Sequence, residues 1–273
     1  MSHSTKPSTT DLAPSLNEAR TIVGSAEKLL RRALSTVKSS LGGDLRTVQL
    51  DRIQVVSYEL AMLKAEIFAA ESIVDYAQNC AEGELHADFE ISLACCSVAE
   101  GLGKARARFE KIKYTIDLGE DEIAAAFSSP QARAFSRRYL DPEVIAAVGR
   151  EAIVRTGFGQ SKLAEDKEII ASSFARFSDD IVAPLAEKIH RSDLTVPEEI
   201  LTPLRDMGCF GLSIPERYGG TSPDSGEDHL AMVVVTQELS RASLAAAGSL
   251  ITRPEIMGKA IYHGGTEAQR EKW

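Results

Sequence analysis

Apolar positions recur in steps of three and four along most of the chain, which predicts helix after helix. Segment 15–38 places Ala19, Ile22, Ala26, Leu29, Ala33 and Val37 on one face. Segment 51–78 carries Ile53, Val56, Leu60, Leu63, Ile67, Ala70, Val74 and Ala77 in an unbroken stripe. Segment 89–116 repeats the stepping at Ile91, Cys95, Val98, Leu102, Ala105, Phe109, Ile112 and Ile116. Such spacing lines one side of a 3.6-residue helix. Between the last two segments, Ala81 to Asp88 holds a glycine stop and an aspartate start, so they read as an antiparallel helical hairpin. A hairpin leaves part of its stripes uncovered and needs a partner face, from segment 15–38, a second subunit or a further domain. No stretch alternates with the period of two that marks a half-buried strand. The predicted class is all-α.

Punctuation divides the chain. Residues 1–14, rich in Ser and Thr, read as a disordered tail, and 15–116 as a helical hairpin or bundle extension. Residues 117–160 hold Ser128-Ser129-Pro130, Asp141-Pro142 and Thr156-Gly-Phe-Gly159. They read as a linker with short helices, one from Pro142 to about Val154. Residues 161–273 return to the helical pattern. Leu163, Ile170, Phe174, Phe177 and Ile181 share a face, and Pro184 should kink or restart that helix. A helix beginning after Val196-Pro197 runs to Met207 and stops at Gly208. Another spans 226–242 with Leu230, Val233, Val234, Gln237 and Leu239. The next, 245–263, starts with small residues and is interrupted by Pro254, and Thr266 caps the last.

Composition narrows the function. The 273 residues have a net charge of −9, with Lys and Arg scattered, which argues against nucleic acid as a main partner. No run reaches the length of a membrane helix, and the N-terminus lacks the apolar core of a secretory signal. A cytoplasmic location follows as the expectation. Cys80, Cys95, Cys96 and Cys209 have no metal-ligand spacing and read as buried or partly buried thiols. His190, His229 and His263 have no partner at ligand spacing, so no metal site is expected.

One stretch is far more specific: Asp206-Met-Gly-Cys-Phe-Gly-Leu-Ser-Ile-Pro-Glu-Arg-Tyr-Gly-Gly-Thr-Ser222. A helix ends at glycine, a short apolar step follows, and Pro215-Glu-x-Tyr-Gly-Gly220 makes a tight loop before a new helix. With Phe177 through Pro184-Leu-Ala, Val196-Pro197, Glu238-Leu-Ser-Arg241 and His263-Gly-Gly-Thr-Glu-x-Gln-x-x-Lys-Trp273, it resembles the N-terminal helical domain of flavin-dependent acyl-CoA dehydrogenases over about 161–273. The hairpin resembles the helical C-terminal domain of the same family. The resemblance extends to members that convert a short branched dicarboxylic acyl-CoA of the methylsuccinyl type to the mesaconyl type.

That resemblance implies FAD as cofactor, an acyl-CoA substrate, an electron-transfer flavoprotein as acceptor and a homo-oligomer. It also implies that the β and C-terminal helical domains, the main flavin-binding elements and the catalytic carboxylate lie beyond Trp273, so this chain alone is expected to be inactive. Glu238 and Glu255 then belong to packing and pocket walls. Arg253 is the sharpest candidate for substrate binding, since its guanidinium fork suits a free acyl carboxylate. Thr252, Leu250 and Gly248 join it near the expected pocket floor, Gly248 with close helix packing as its alternative role. Tyr218, Gly219 and Gly220 are expected to be structural. Two other readings stand beside this one: a non-catalytic helical interaction module, and an acyl-CoA oxidase of the same fold.

Overall fold

The computed structural model describes residues 9–43, 46–83, 87–155, 159–226 and 228–273. Among them there is no β-strand, only an isolated bridge between Pro215 and Ser222, and no helix is long and apolar enough to cross a membrane. The chain divides into two units, Met1–Ser161 and Lys162–Trp273.

The first unit is built on three long helices, α1 (Thr9–Ser40), α3 (Gln54–Ala81) and α4 (Asp88–Ile112), with a short α2 (Thr47–Asp51) before α3. The three apolar stripes meet as their spacing requires. Ala19, Ile22, Ala26 and Ala33 of α1, Leu60, Leu63, Ile67 and Val74 of α3, and Ile91, Cys95, Val98 and Phe109 of α4 are buried in one core. α1 packs against both arms of the hairpin and so supplies its partner face.

Two expectations are corrected here. Helix α1 begins at Thr9, so the tail does not reach residue 14; residues 1–8 lie outside the described residues. Residues 117–155 are not a linker. They form α5 (Glu120–Phe127), α6 (Pro130–Tyr139) and α7 (Pro142–Arg155), and Ile123, Phe127, Phe135 and Tyr139 are buried in the same core. Loop-like punctuation marked only the joints: Ser129 caps α6 by accepting a hydrogen bond from the Ala132 amide at 3.2 Å, with Pro130 in its first turn. The Thr156-Gly-Phe stretch lies outside the described residues. Asp88, expected to start α4 as its cap, sits in the first turn, with Ala87 at the cap position.

One charge is buried in the hairpin. Glu59 of α3 is 2% exposed and accepts hydrogen bonds from Arg108 (2.6 Å) and Lys111 of α4. Arg108 also donates to Glu66 at 2.8 Å. These partners, Lys111 first, hold the Glu59 carboxyl below the usual range against the opposing effect of burial. A carboxyl whose pKa is lower in the folded than in the unfolded chain adds stability above its unfolded value, and that stability is lost as pH falls through the folded value. The melting temperature should therefore fall as pH drops from the ordinary glutamate value of about 4.3. Glu59→Gln should flatten that acid limb, and thermal melts at a series of pH values check it. An unchanged limb would mean that the triad does not couple folding to protons.

The second unit starts with α8 (Glu165–Phe177), which passes through a π-helical turn, Ser178–Val182, into α9 (Ala183–Arg191). The irregular turn arises where Pro184, in the first turn of α9, has no amide to donate backwards. Ser178 is fully buried there and donates to the Glu238 carbonyl at 2.9 Å, tying the turn to α11 (His229–Ser243). Phe174, Phe177, Val182, Ile200, Leu204, Val235, Leu239, Ala247 and Ile251 form its core. On α11 the buried face is Ala231, Val234, Val235 and Leu239, whereas Leu230 and Val233 are exposed. α10 (Glu198–Asp206) places Glu198 and Glu199 in its first turn, where the helix dipole favours them. α12 (Thr252–Gly264) and α13 (Glu267–Lys272) complete the unit. Pro254 does not interrupt a helix; it sits in the first turn of α12, where a missing amide costs nothing. Thr266 caps α13 in a reciprocal capping box with Gln269.

Candidate functional site

The signature loop after α10 folds back on itself. Gly208 closes the helix, and Cys209–Gly211 and Glu216–Tyr218 form single 3₁₀ turns on either side of Ile214-Pro215. Four backbone bonds lock the return: Thr221 N to Gly211 O (3.0 Å), Ser222 N to Ile214 O (3.0 Å), Glu216 N to Ser222 O (2.9 Å) and Gly220 N to Pro215 O (3.2 Å). The two glycines have separate causes. Gly219 has φ +86°, a left-handed conformation, and Gly220 passes so close to Ile214 that a Cβ there would lie 2.0 Å from its carbonyl oxygen.

Side chains then pin the loop to α12 and α13. Tyr218 donates its hydroxyl to Glu267 Oε1 at 2.7 Å. Arg217 donates to the Tyr262 hydroxyl (3.0 Å) and to Asp224 (3.1 Å), and Arg270 pairs with Glu267 at 3.2 Å. The rings of Tyr218 and Tyr262 meet edge to face at 6.1 Å, with the Arg217 guanidinium 4.9 Å from the Tyr218 centroid. The Tyr218 hydrogen bond, followed by Arg270, holds the Glu267 carboxyl below its usual range. The clamp is therefore a charge-assisted network, with Tyr218 in a structural role.

Between this loop and α12–α13 runs a groove of about 640 Å³. Phe210 and Ile214 form one wall, Met257, Ala260 and Ile261 the other, and Trp273 lies at its end. The lining is apolar apart from the Gln269 amide. Sequence reasoning missed this groove, although 257, 260, 261 and 264 step by three and four along a small and apolar stripe of α12. Treating Pro254 as a break hid it.

The four residues expected to bind substrate do not line this groove. Thr252 and Arg253 stand exposed in the first turn of α12, and Arg253 makes no hydrogen bond or ion pair among the described residues. Leu250 is half-buried against the core of the unit. Gly248 ends a second π-helical turn, Leu244–Gly248, and is buried; a Cβ there would lie 2.2 Å from Ser240 Oγ. Its neighbourhood is filled by Ser240, whose buried hydroxyl has no hydrogen-bond partner, so Gly248 opens no room for a ligand. Close helix packing is the role the structure gives it.

The remaining candidates stay inert. The thiols are free; Cys80, Cys95 and Cys209 are buried, Cys96 half-buried. Desolvation pushes Cys95 and Cys209 up to about 12, far from a reactive thiolate. His190 and His229 are exposed, and His263 stacks edge-on against Tyr262 at 5.1 Å. No group of His, Cys, Asp and Glu among the described residues could hold a metal ion.

Comparison with known proteins follows this geometry. The family model "Acyl-CoA dehydrogenase, N-terminal domain" matches residues 164–273, which include the loop, the clamp and the groove. The second unit belongs to the acyl-CoA dehydrogenase family. A (2S)-methylsuccinyl-CoA dehydrogenase of Cereibacter sphaeroides is 44% identical over 129 residues, covering 47% of this chain and 23% of that protein. The mitochondrial isovaleryl-CoA dehydrogenase of Pongo abelii is 32% identical over 112 residues, covering 41% of this chain and 26% of that protein. The glutaryl-CoA dehydrogenase of Desulfococcus multivorans is 31% identical over 113 residues, covering 41% and 28%. The chain thus spans about a quarter of the length of these relatives.

For an acyl-CoA dehydrogenase domain the flavin is the group to test against these residues. A dinucleotide needs donors gathered around its pyrophosphate. The groove offers apolar walls, one amide and no charged lining residue. The described residues do not by themselves fit a flavin dinucleotide.

Proposed function

We propose that this chain is the N-terminal part of a flavin-dependent acyl-CoA dehydrogenase acting on a short branched dicarboxylic acyl-CoA, of the methylsuccinyl to mesaconyl type. The observation that carries this reading is the 44% identity over 129 residues to a (2S)-methylsuccinyl-CoA dehydrogenase. It lies well above the 31–32% found with relatives acting on other acyl-CoA thioesters. In this reading FAD is the cofactor, an electron-transfer flavoprotein takes the electrons, and the enzyme is a cytoplasmic homo-oligomer. No catalytic residue is assigned to this chain.

Arg253, with Thr252 beside it, would receive the free carboxylate of the acyl group. The guanidinium is exposed and uncommitted in the first turn of α12, and it can give two parallel charge-assisted hydrogen bonds to a carboxylate. Leu250 would support that turn from the core side. In an enzyme containing this chain, Arg253→Ala should lower kcat/KM for methylsuccinyl-CoA by about ten- to a hundredfold, since a hydrogen bond to a charged group contributes roughly 1.5–3 kcal/mol. An uncharged short acyl-CoA should lose little. Equal losses on both substrates would refute the assignment.

The reading as a helical interaction module has one observation of its own, the apolar outer face of α3, which a dehydrogenase assignment of the second unit leaves unexplained.

A further inference from the structure

A surface helix normally carries charge on its outer side, and one that is apolar all round is buried against something. Helix α3 is of the second kind. Opposite its core stripe, Val55, Tyr58, Met62, Ala65, Ala69 and Ile73 fall within roughly 80° of arc and extend over about 27 Å of helix. The charged residues of α3 lie outside this arc. Lys64 and Asp75 turn to α1, pairing with Glu27 (3.2 Å) and Arg20 (2.7 Å), and Glu66 turns to Arg108 of α4.

We propose that this face seats the same face of a second copy of the chain, with the two α3 helices antiparallel across a two-fold axis beside Ala65. The argument is the self-complementarity of the stripe. Reversing the helix about a point half a residue past Ala65 sets Val55 opposite Tyr76, Tyr58 opposite Ile73, and Met62 opposite Ala69. In the first two pairs a protruding side chain meets a sunken one. Val55 is 64% and Tyr58 59% exposed, whereas Tyr76 and Ile73 are half-buried. In the third, half-buried Met62 meets a methyl group. Tyr76 is held in place by its hydroxyl, which donates to the Gln160 carbonyl at 2.8 Å. At the centre Ala65 faces Ala65, so the backbones can approach closely. An isologous interface of this kind sets no like charges against each other. Phe68, 61% exposed at the edge of the arc, widens it. Together the two faces would remove on the order of 1,000 Å² from water, the lower bound for a specific interface.

The proposal is independent of the dehydrogenase reading, because it concerns only the first unit. Its test is sedimentation of the complete 273-residue chain over a range of concentrations. The wild-type chain should be a dimer. Ala65→Glu, which sets two carboxylates face to face on the axis, should weaken self-association on the order of a hundredfold. Circular dichroism and the melting temperature of that variant's monomer should show that it is folded. Ala147→Glu, on the exposed side of α7, should leave the dimer unchanged. If Ala65→Glu does not fold, Ala65→Cys treated with a short bismaleimide decides instead, and a cross-linked dimer is expected. A wild-type chain that stays monomeric overturns the proposal, as does a dimer indifferent to Ala65→Glu or an Ala65→Cys chain that does not cross-link.

Discussion

Gly220→Ala should unfold the signature loop and lower the stability of the second unit by about 3 kcal/mol, the upper end of what a forced overlap costs. The added methyl carbon would lie 2.0 Å from the Ile214 carbonyl oxygen and 2.5 Å from its carbonyl carbon. Both are backbone atoms, so no side-chain rotation relieves the contact. The return strand must move, and with it go the bonds from Thr221 N to Gly211 O and from Ser222 N to Ile214 O. Tyr218 and Arg217 then leave Glu267 and Tyr262, and the groove loses the wall formed by Phe210 and Ile214. Urea unfolding followed by amide hydrogen exchange reads both effects, with lost protection confined to residues 208–222 and α12–α13. By contrast, Gly219→Ala meets no atom within 4 Å and bears only the left-handed backbone, so its cost should be about 1 kcal/mol. Equal effects at the two positions would refute the close-approach account.

This loop also shows what a single sequence can and cannot reveal. Its glycines, proline and tyrosine stand at fixed spacing, so the order of elements and the family resemblance were legible. The reason for each residue was not, because the Ile214 carbonyl and Glu267 that explain Gly220 and Tyr218 come from folding over 6 and 49 positions. The long helices were legible for a different reason: a stripe of eight apolar residues over seven turns has only one helical solution. Residues 117–155 were misread since each of their helices is short, from 8 to 14 residues, and its apolar face is too brief to stand out between turn signals. Ile123, Phe127 and Phe135 become core only because α1 and α4 lie beside them. At the candidate site, Arg253 was placed correctly outside the core, whereas Gly248 was assigned to a ligand when its space is taken by Ser240, a residue one π-helical turn and one helix end away. The outer face of α3 is the opposite case. Its residues were visible in the sequence, but attention to the core stripe concealed that the other side lacks charge as well.

Phe109→Ala should be the most damaging single change in the first unit, at about 3–5 kcal/mol. The ring is fully buried and lies 5.7 Å from Phe127 of α5, tilted by 47°. It therefore sits where the hairpin meets the helices once read as a linker. Truncation removes the transfer free energy of the ring and leaves a cavity that rigid neighbours on α4 and α5 cannot fill. A domain of this size is stable by roughly 5–15 kcal/mol, so the loss is a large share of the total. Urea denaturation followed by far-ultraviolet circular dichroism measures it directly. The position also discriminates between two accounts of residues 117–155. If α5 and α6 are integral to the core, Phe109→Ala and Phe127→Ala share one cavity, and their effects combine with an interaction term of 0.5 kcal/mol or more in magnitude, by the usual behaviour of contacting residues, roughly. If those residues only connected one part of the chain to the next, Phe127→Ala would cost little and the two changes would simply add. A large, non-additive pair would establish that the first unit reaches its stability only with α5 and α6 in place, which sets the shortest piece of this chain that can fold as that unit.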